Sequence, residues 1–315
     1  MDFIARLKSF FAGPGERPDI SEFSFVLGDY MGVYSTSPNG RWLVSWSDSD
    51  PAQRGRGGAR ESGEGVYLLY DKSVQRVVVR GRMPRPNAGL VANNGTFCLE
   101  DRDFGSVLSG TLRVFASTGQ CLAQVPVTAN IVKSALSENG AYALIHTAQS
   151  PTDDGVKLIL IDLLAGKLLY RVTPNAGWAD RYEFDEEQGR VIAHLPGLGE
   201  FCYGPDGEFL DEERLHRALL DSPRYEHAIP AAGKLLDQPD LTEDDAREAL
   251  RILLRARKHG ADWADSWNAR SLKLIGQAHE ALGEIRDAIA AYEKALELDP
   301  KSGVKRKRDS LLKRV

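Results

Sequence analysis

Residues 137–144 read Ser-Glu-Asn-Gly-Ala-Tyr-Ala-Leu, a polar turn that ends in glycine and continues into an apolar strand. Asn-Gly is a strong hairpin signal, because both central residues of a type I′ turn adopt positive φ and these residue types tolerate it best. The same order of residue types recurs three more times along the chain. The other copies are residues 37–44 (SPNGRWLV), 92–99 (ANNGTFCL) and 185–192 (DEEQGRVI).

The copies follow one another at a regular interval. Their turn glycines lie at residues 40, 95, 140 and 189, so they are 45 to 55 residues apart. In every copy a second apolar run with its own turn comes next, at residues 66–71, 112–116, 158–162 and 201–203. Each copy therefore predicts about four short strands in two hairpins, which is typical of one blade of a β-propeller.

The first interval is the longest because it contains a glycine-rich stretch, residues 48–65 (DSDPAQRGRGGARESGEG). This composition buries little apolar surface, so it predicts a solvated loop between two strands. An arginine-bearing arm that folds onto an acidic partner is the alternative interpretation.

The repeated segments resemble the WD40-like class of propeller repeats, in which a Ser-Pro-Asp-Gly-type turn and a later aromatic–Asp pair mark each blade. Residues 37–40 match the first mark, and residues 70–71 and 161–162 match the second loosely. The resemblance covers residues 22–210 and implies a small or incomplete β-propeller of about four blade-like units. A closed four-bladed ring, an open stack capped by helices and a stack joined by a second chain are all compatible with it.

After residue 210 the apolar residues recur at intervals of three and four, which predicts helices. The clearest segment is residues 272–300. It contains Gly276 and, at offsets of 12, 16, 19 and 24 from that glycine, Ala288, Tyr292, Ala295 and Pro300. The small residues let two antiparallel helices approach closely, and the proline ends the second helix. These spacings resemble those of the tetratricopeptide (TPR) repeat.

One such repeat cannot bury its own apolar faces, so neighbouring helices are required. Tyr225–Leu236 and residues 242–259 are predicted to form the preceding pair, with an acidic cap at Thr242 and a stop at Gly260. The basic residues 303–315 are predicted to form a final capping helix with a solvated face. Nucleic acid is disfavoured as their partner, because no aromatic stacking residues accompany them.

The TPR resemblance implies a groove that binds a protein or peptide partner, lined by the first helix of each pair. The groove positions in this chain are Arg270, Lys273, Gln277 and Glu280. Lys273 and Gln277 are similar to the Lys and Asn that hold a terminal carboxylate in some members of the family. The alternative is a helix pair that only braces the propeller.

Two histidines fall on equivalent strands of the third and fourth copies. His146 and His194 are therefore candidates for side chains that face a central channel, with an ordinary hydrogen-bonded structural role as the alternative. No catalytic residue, metal site or cofactor is predicted. The chain lacks a Gly-x-Ser-x-Gly elbow, a phosphate-binding loop of the Gly-Lys-Ser/Thr type and a His-Glu-x-x-His helix.

The first residues, MDFIARLKSFFAGPG, predict a short amphipathic helix. Its apolar face consists of Phe3, Ile4, Leu7, Phe10 and Phe11. We expect this face to pack against the protein's own helical domain, with a partner or peripheral contact with a membrane surface as alternatives.

Charge and cysteine content place further bounds on function. The chain of 315 residues has 40 Lys and Arg against 45 Asp and Glu, a net charge of −5. Asp211–Val315 contains 20 residues of each sign, so the acidic excess lies in the β-rich part. Three cysteines, Cys98, Cys121 and Cys202, predict buried thiols in a reducing compartment and hence a cytoplasmic location. No apolar run is long enough to cross a membrane.

Three regions are therefore expected: residues 1–21, an amphipathic helix and linker; residues 22–210, a β-propeller-like domain; and residues 211–315, a TPR-like helical domain. The predicted function is a non-enzymatic adaptor that binds other proteins, and a homo-oligomer is left open. One alternative is an immunity or regulatory subunit of a bacterial toxin, secretion or defence system. Another is an enzyme or small-molecule sensor that uses the propeller channel.

Overall fold

The computed structural model of the protein describes residues 17–49, 62–102 and 108–315. The predicted N-terminal helix and most of the glycine-rich stretch lie outside these residues. The chain divides into two compact units. The sheet unit extends to Leu195 and includes Glu200–Leu210, and the helical unit comprises Pro196–Gly199 and Asp211–Val315. No described helix is long and apolar enough to cross a membrane.

The described strands of the sheet unit form four antiparallel sheets, one for each predicted repeat. The second and third contain the predicted four strands, whereas the first contains six and the fourth three. The first sheet contains β1 (Asp19–Ile20), β2 (Phe25–Leu27), β3 (Tyr30–Thr36), β4 (Trp42–Ser47), β5 (Gly65–Asp71) and β6 (Arg76–Met83). The second contains β7 (Pro86–Val91), β8 (Phe97–Asp101), β9 (Gly110–Phe115) and β10 (Cys121–Val127). The third contains β11 (Ile131–Leu136), β12 (Tyr142–Thr147), β13 (Leu158–Asp162) and β14 (Lys167–Val172), and the fourth contains β15 (Arg181–Asp185), β16 (Arg190–Leu195) and β17 (Gly199–Tyr203).

The repeated polar turns join the first two strands of each blade-like unit and form a hydrogen-bonded row. The amide of Asn39 donates to Oδ1 of Asn93 at 2.8 Å, and the amide of Asn93 donates to the carbonyl of Glu138 at 2.7 Å. The amide of Asn139 donates to a carboxylate oxygen of Glu186 at 3.0 Å. Turns of successive sheets therefore lie side by side, so the four sheets are arranged in chain order.

Apolar side chains fill the space between successive sheets. One cluster joins Trp42 and Trp46 of the first sheet to Phe97 of the second. Another joins Cys98 of the second sheet to Ile145 of the third. Because the middle strands are covered on both faces, β5 and β13 are nearly continuous apolar runs rather than alternating ones, and β8 is buried along its whole length.

Apolar side chains from the N-terminal strands β2 and β3, which belong to the first sheet, pack on its outer face. Phe25, Leu27 and Tyr30 pack on Leu43 and Leu68, on the face that points away from the second sheet. Within the described part of the chain, no strand of β15–β17 packs closely against β1–β6. The described sheets thus form an open, propeller-like array rather than a closed ring.

Six α-helices are described in the helical unit. They are α1 (Glu212–Asp221), α2 (Tyr225–Leu236), α3 (Glu243–Ala256), α4 (Asp265–Ala281), α5 (Ile285–Leu298) and α6 (Lys305–Leu312). Consecutive helices pack against one another, and α2 also contacts α4. The predicted stop at Gly260 lies in the irregular turn Arg257–Ala261, where Gly260 adopts a φ of 104°.

The predicted acidic cap of α3 is present. The hydroxyl of Thr242 accepts a hydrogen bond from the amide of Asp245, and the carboxylate of Asp245 accepts one from the amide of Thr242 at 3.1 Å. The Thr242 hydroxyl also donates to this carboxylate at 2.6 Å, and this bond, together with the one from the Thr242 amide, holds the pKa of Asp245 below its ordinary value.

Replacing Thr242 by alanine is expected to lower the free energy of unfolding by about 1 kcal/mol, because the first turn of α3 loses its side-chain acceptor. Thr242→Ser keeps the acceptor and serves as the control. Urea unfolding of the full chain, followed by circular dichroism, measures both. Equal midpoints for Thr242→Ala and the wild type would show that the cap does not stabilise the helix.

Candidate functional site

The four predicted groove residues lie on one side of α4. Arg270, Lys273, Gln277 and Glu280 are separated by three, four and three positions, which places them along one stripe of an α-helix. Arg270 is exposed, and the other three are half-buried. The opposite side of α4 contains small and apolar residues that pack against the neighbouring helices. The helix therefore packs through its opposite side, and the stripe remains at least partly accessible to solvent.

Aromatic side chains lie at the N-terminal end of this stripe. The ring of Trp267 on α4 makes an edge contact with Tyr225 on α2, with 5.8 Å between the centroids. The guanidinium of Arg270 lies 5.4 Å from the centre of the Trp267 ring, within the range of a cation–π contact. These contacts hold the first turns of α2 and α4 together and orient Arg270.

Glu280, at the other end of the stripe, is already engaged. Its carboxylate accepts a hydrogen bond of 2.7 Å from the hydroxyl of the buried Tyr292 on α5. The ammonium of Lys307 on α6 lies 3.8 Å from the same carboxylate. Because the negative charge of Glu280 is partly neutralised, Arg270 and Lys273 give the stripe a positive character. The side-chain oxygen of Gln277 is buried without a hydrogen-bond partner among the described residues.

The two predicted channel histidines occupy equivalent positions in their sheets. Each lies on the second strand of its unit and pairs with a residue four positions before the start of the polar turn. The pairs are His146 with Lys133 and His194 with Arg181. Trp46 and Glu100 occupy the same position in the first and second sheets, where they pair with Val33 and Ala88.

Side chains at this position point toward the next sheet. The carboxylate of Glu100 accepts a hydrogen bond of 2.6 Å from the hydroxyl of Ser134, on the first strand of the third sheet. Nδ1 of His146 lies 2.8 Å from the hydroxyl of Tyr182, on the first strand of the fourth sheet. His146 is 1% exposed, and burial lowers its pKa to about 4. The imidazole of His146 is therefore neutral near pH 7.

No described sheet follows the fourth, so His194 has different neighbours. Its Nε2 lies 3.1 Å from Glu183, its Nδ1 lies 3.2 Å from Glu200, and Arg181 lies 3.3 Å from the same Nδ1. Tyr182 and Arg181 are consecutive residues of β15 and point to opposite faces of the sheet. The structure therefore places His146 and His194 on opposite sides of the fourth sheet and does not bring them together.

One group of side chains has the composition of a metal site. His279, Glu284 and Asp287 offer ligand atoms that all lie within 4.8 Å of one another, and Nδ1 of His279 lies 2.6 Å from Glu284. The tight turn at Gly283, with a φ of 72°, brings the end of α4 and the start of α5 together. Sequence reasoning missed this group because its spacing follows no known metal motif.

A further functional candidate absent from the sequence-based set is Trp178. Its side chain is 55% exposed, and its ring centroid lies 5.8 Å from that of His146. The local sequence offers only Gly177-Trp178 as a signal. The neighbouring residue, His146, lies 32 positions away along the chain, so no local pattern reveals the pair.

Comparisons with known proteins agree with the helical part of this description. The family described as tetratricopeptide repeat matches residues 269–302, which include the stripe on α4 and all of α5. The predicted TPR repeat is thereby confirmed. No curated protein matches the chain significantly.

A solved structure described as the C-terminal WD40 domain of Sif2 is similar to part of this chain. The similarity covers 52% of this chain and 42% of that one, at 12% sequence identity and a TM-score of 0.35. This chain thus spans less than half of that structure, and the likeness is too distant to assign a fold. The four antiparallel sheets themselves define the first unit as propeller-like, and the chain combines them with a TPR-like helical unit.

Proposed function

We propose that this protein is a non-catalytic adaptor that binds a peptide segment of a partner protein along the stripe on α4. The observation that carries the proposal is the stripe itself, where Arg270 and Lys273 are accessible while the only acid, Glu280, is engaged by Tyr292 and Lys307. TPR-type helix pairs commonly present such a surface to extended or helical peptides. The function is inferred by analogy from fold to binding surface.

Photo-crosslinking tests where a partner binds. A photoreactive amino acid replaces Gln277 on the stripe or, as the matched control, Lys294 on α5, which is exposed and lies outside the stripe. In cells that produce the protein naturally, we expect crosslinks to a discrete partner from position 277 and none to that partner from position 294. Crosslinking of the same partner with equal yield from both positions would contradict the proposal.

Charge removal then measures the contribution of the stripe to affinity. The double variant Arg270→Ala/Lys273→Ala is expected to bind the identified partner about tenfold or more weakly, because each charge-assisted hydrogen bond contributes roughly 1 kcal/mol or more. The control Arg286→Ala/Lys294→Ala removes the same charge from exposed positions on α5. Isothermal calorimetry measures the affinities. Equal losses in the two double variants would assign the effect to overall charge and would refute the stripe as the site.

A further inference from the structure

The connection between the third and fourth sheets is longer than those between the preceding sheets. Two residues separate β6 from β7, and three separate β10 from β11. Eight residues, 173–180, separate β14 from β15. The additional residues form a surface loop, the kind of segment that commonly carries binding residues.

Residues 173–180 are held in place while one side chain projects from them. The amide of Ala176 donates a hydrogen bond of 3.1 Å to the hydroxyl of Tyr203, a buried residue of the fourth sheet. Ala176 and Ala179 are buried, and Gly177 turns the backbone with a φ of 75°. Trp178, between these anchored positions, remains more than half exposed. The segment therefore presents an indole ring on a fixed support.

A hydrogen-bond donor lies next to this ring. Nδ1 of His146 lies 2.8 Å from the hydroxyl of Tyr182, and burial raises the pKa of this hydroxyl, so it stays protonated. The hydroxyl oxygen also accepts a backbone hydrogen bond from Ala179, so its proton is assigned to the bond with Nδ1 of His146 and the imidazole proton to Nε2. That atom is buried and has no hydrogen-bond partner among the described residues. A buried donor without an acceptor is costly, so the arrangement favours any group that brings an acceptor to it.

We propose that Trp178 and His146 form a docking point for an extended peptide segment of a partner protein. An apolar side chain of the peptide packs on the indole, and a neighbouring main-chain carbonyl accepts a hydrogen bond from Nε2–H of His146. Because Nε2 is buried, the Trp178 side chain changes its rotamer so that the peptide carbonyl can reach this atom. An extended peptide supplies both groups at adjacent positions. Sites for small molecules enclose most of the ligand, whereas this indole is half-exposed on the surface. The surface is therefore better suited to an extended peptide than to a small molecule.

This surface belongs to the sheet unit and does not depend on the stripe on α4. Its partner is recognised by apolar and main-chain chemistry, whereas the stripe on α4 offers positive charge. The two sites are therefore separable by substitution.

Selection from a phage-displayed library of random linear peptides tests the proposal. The immobilised wild-type chain selects the peptides in the presence of excess soluble Trp178→Ala variant, which removes peptides that bind elsewhere. We expect enriched peptides whose affinity falls about tenfold or more in Trp178→Ala. They should keep their affinity for Trp263→Ala, a control that removes a more exposed indole from the helical unit. Failure to enrich any peptide that depends on Trp178 overturns the proposal.

The hydrogen bond from His146 has its own readout. In protein labelled with ¹⁵N-histidine, binding of a selected peptide should shift the Nε2 signal of His146 and leave Nδ1 bonded to Tyr182. His146→Leu should weaken the same peptides about tenfold, with its folding checked by circular dichroism. If Trp178-dependent peptides bind without moving the Nε2 signal, the assignment of His146 as the donor is wrong.

Discussion

Replacing Tyr292 by alanine is expected to lower the free energy of unfolding of the helical unit by about 3–5 kcal/mol, the range found for truncating large buried aromatic residues. Tyr292 is 0% exposed and lies at the centre of the contact between α4 and α5. A Cβ atom added at Gly276 would lie 2.4 Å from the ring of Tyr292, so the ring fills the space left by this glycine. Truncation leaves a cavity that two rigid helices cannot close.

Two companion variants separate packing from hydrogen bonding. Tyr292→Phe keeps the ring and loses only the hydrogen bond to Glu280, so we expect a loss of about 1 kcal/mol. Gly276→Ala places a methyl group against the ring, and we expect a loss of about 1–3 kcal/mol from overpacking. Urea unfolding of the full chain, monitored by the helical circular dichroism signal, measures all three, with the exposed Glu293→Ala as control. Similar losses for Tyr292→Phe and Tyr292→Ala would mean that the hydroxyl, rather than packing, stabilises the contact.

This contact was predictable because its determinants are local. Gly276 and Tyr292 stand at fixed offsets within one helical hairpin, and the small residues at 288 and 295 reveal the close approach of the helices. The positions of the polar turns were predictable for the same reason, and Gly95 and Gly140 adopt positive φ. The predicted type I′ geometry was wrong, because the residues before these glycines, Asn94 and Asn139, do not adopt positive φ. Elements set by short-range geometry are thus readable from sequence.

Features that depend on distant contacts were not predictable. The packing of Phe25 and Leu27 on the outer face of the first sheet requires the N-terminal strands to reach that face, and nothing in their own sequence specifies it. Periodicity placed His146 and His194 on equivalent strands, but their surroundings differ because, among the described strands, a further sheet follows only that of His146. Trp178 was missed because its neighbour in space is far away in sequence.

His146 should make the protein sensitive to acid at a pH well above that at which carboxylates protonate. Burial lowers its folded-state pKa from 6.5 to about 4. Above pH 6.5 the imidazole is neutral in both the folded and the unfolded chain, so it causes no pH dependence. Between these two values the unfolded chain binds a proton that the folded chain excludes. Stability must therefore fall as the pH falls through this range.

The size of the effect follows from the two pKa values. A difference of about two and a half units, at roughly 1.4 kcal/mol per unit, corresponds to a loss of about 3 kcal/mol once the pH is below 4. His146 contacts Trp178, which lies in the connection between the third and fourth sheets, in a tilted ring arrangement. We therefore expect the loss of stability to arise where these two sheets meet. Protonation should therefore also free the indole, which makes Trp178 a fluorescent reporter of the same step.

Urea unfolding over a series of pH values tests this expectation by comparing His146→Gln with the wild type. The variant starts at a lower stability because it loses the imidazole packing, so the informative quantity is the slope of unfolding free energy against pH. We expect the slope between pH 6.5 and about 4 to be shallower in His146→Gln than in the wild type, by about 3 kcal/mol over the range. His259→Gln, which replaces an exposed histidine, controls for the loss of a histidine as such. Parallel slopes for the wild type and His146→Gln would show that the buried imidazole accepts its proton without opening the sheets.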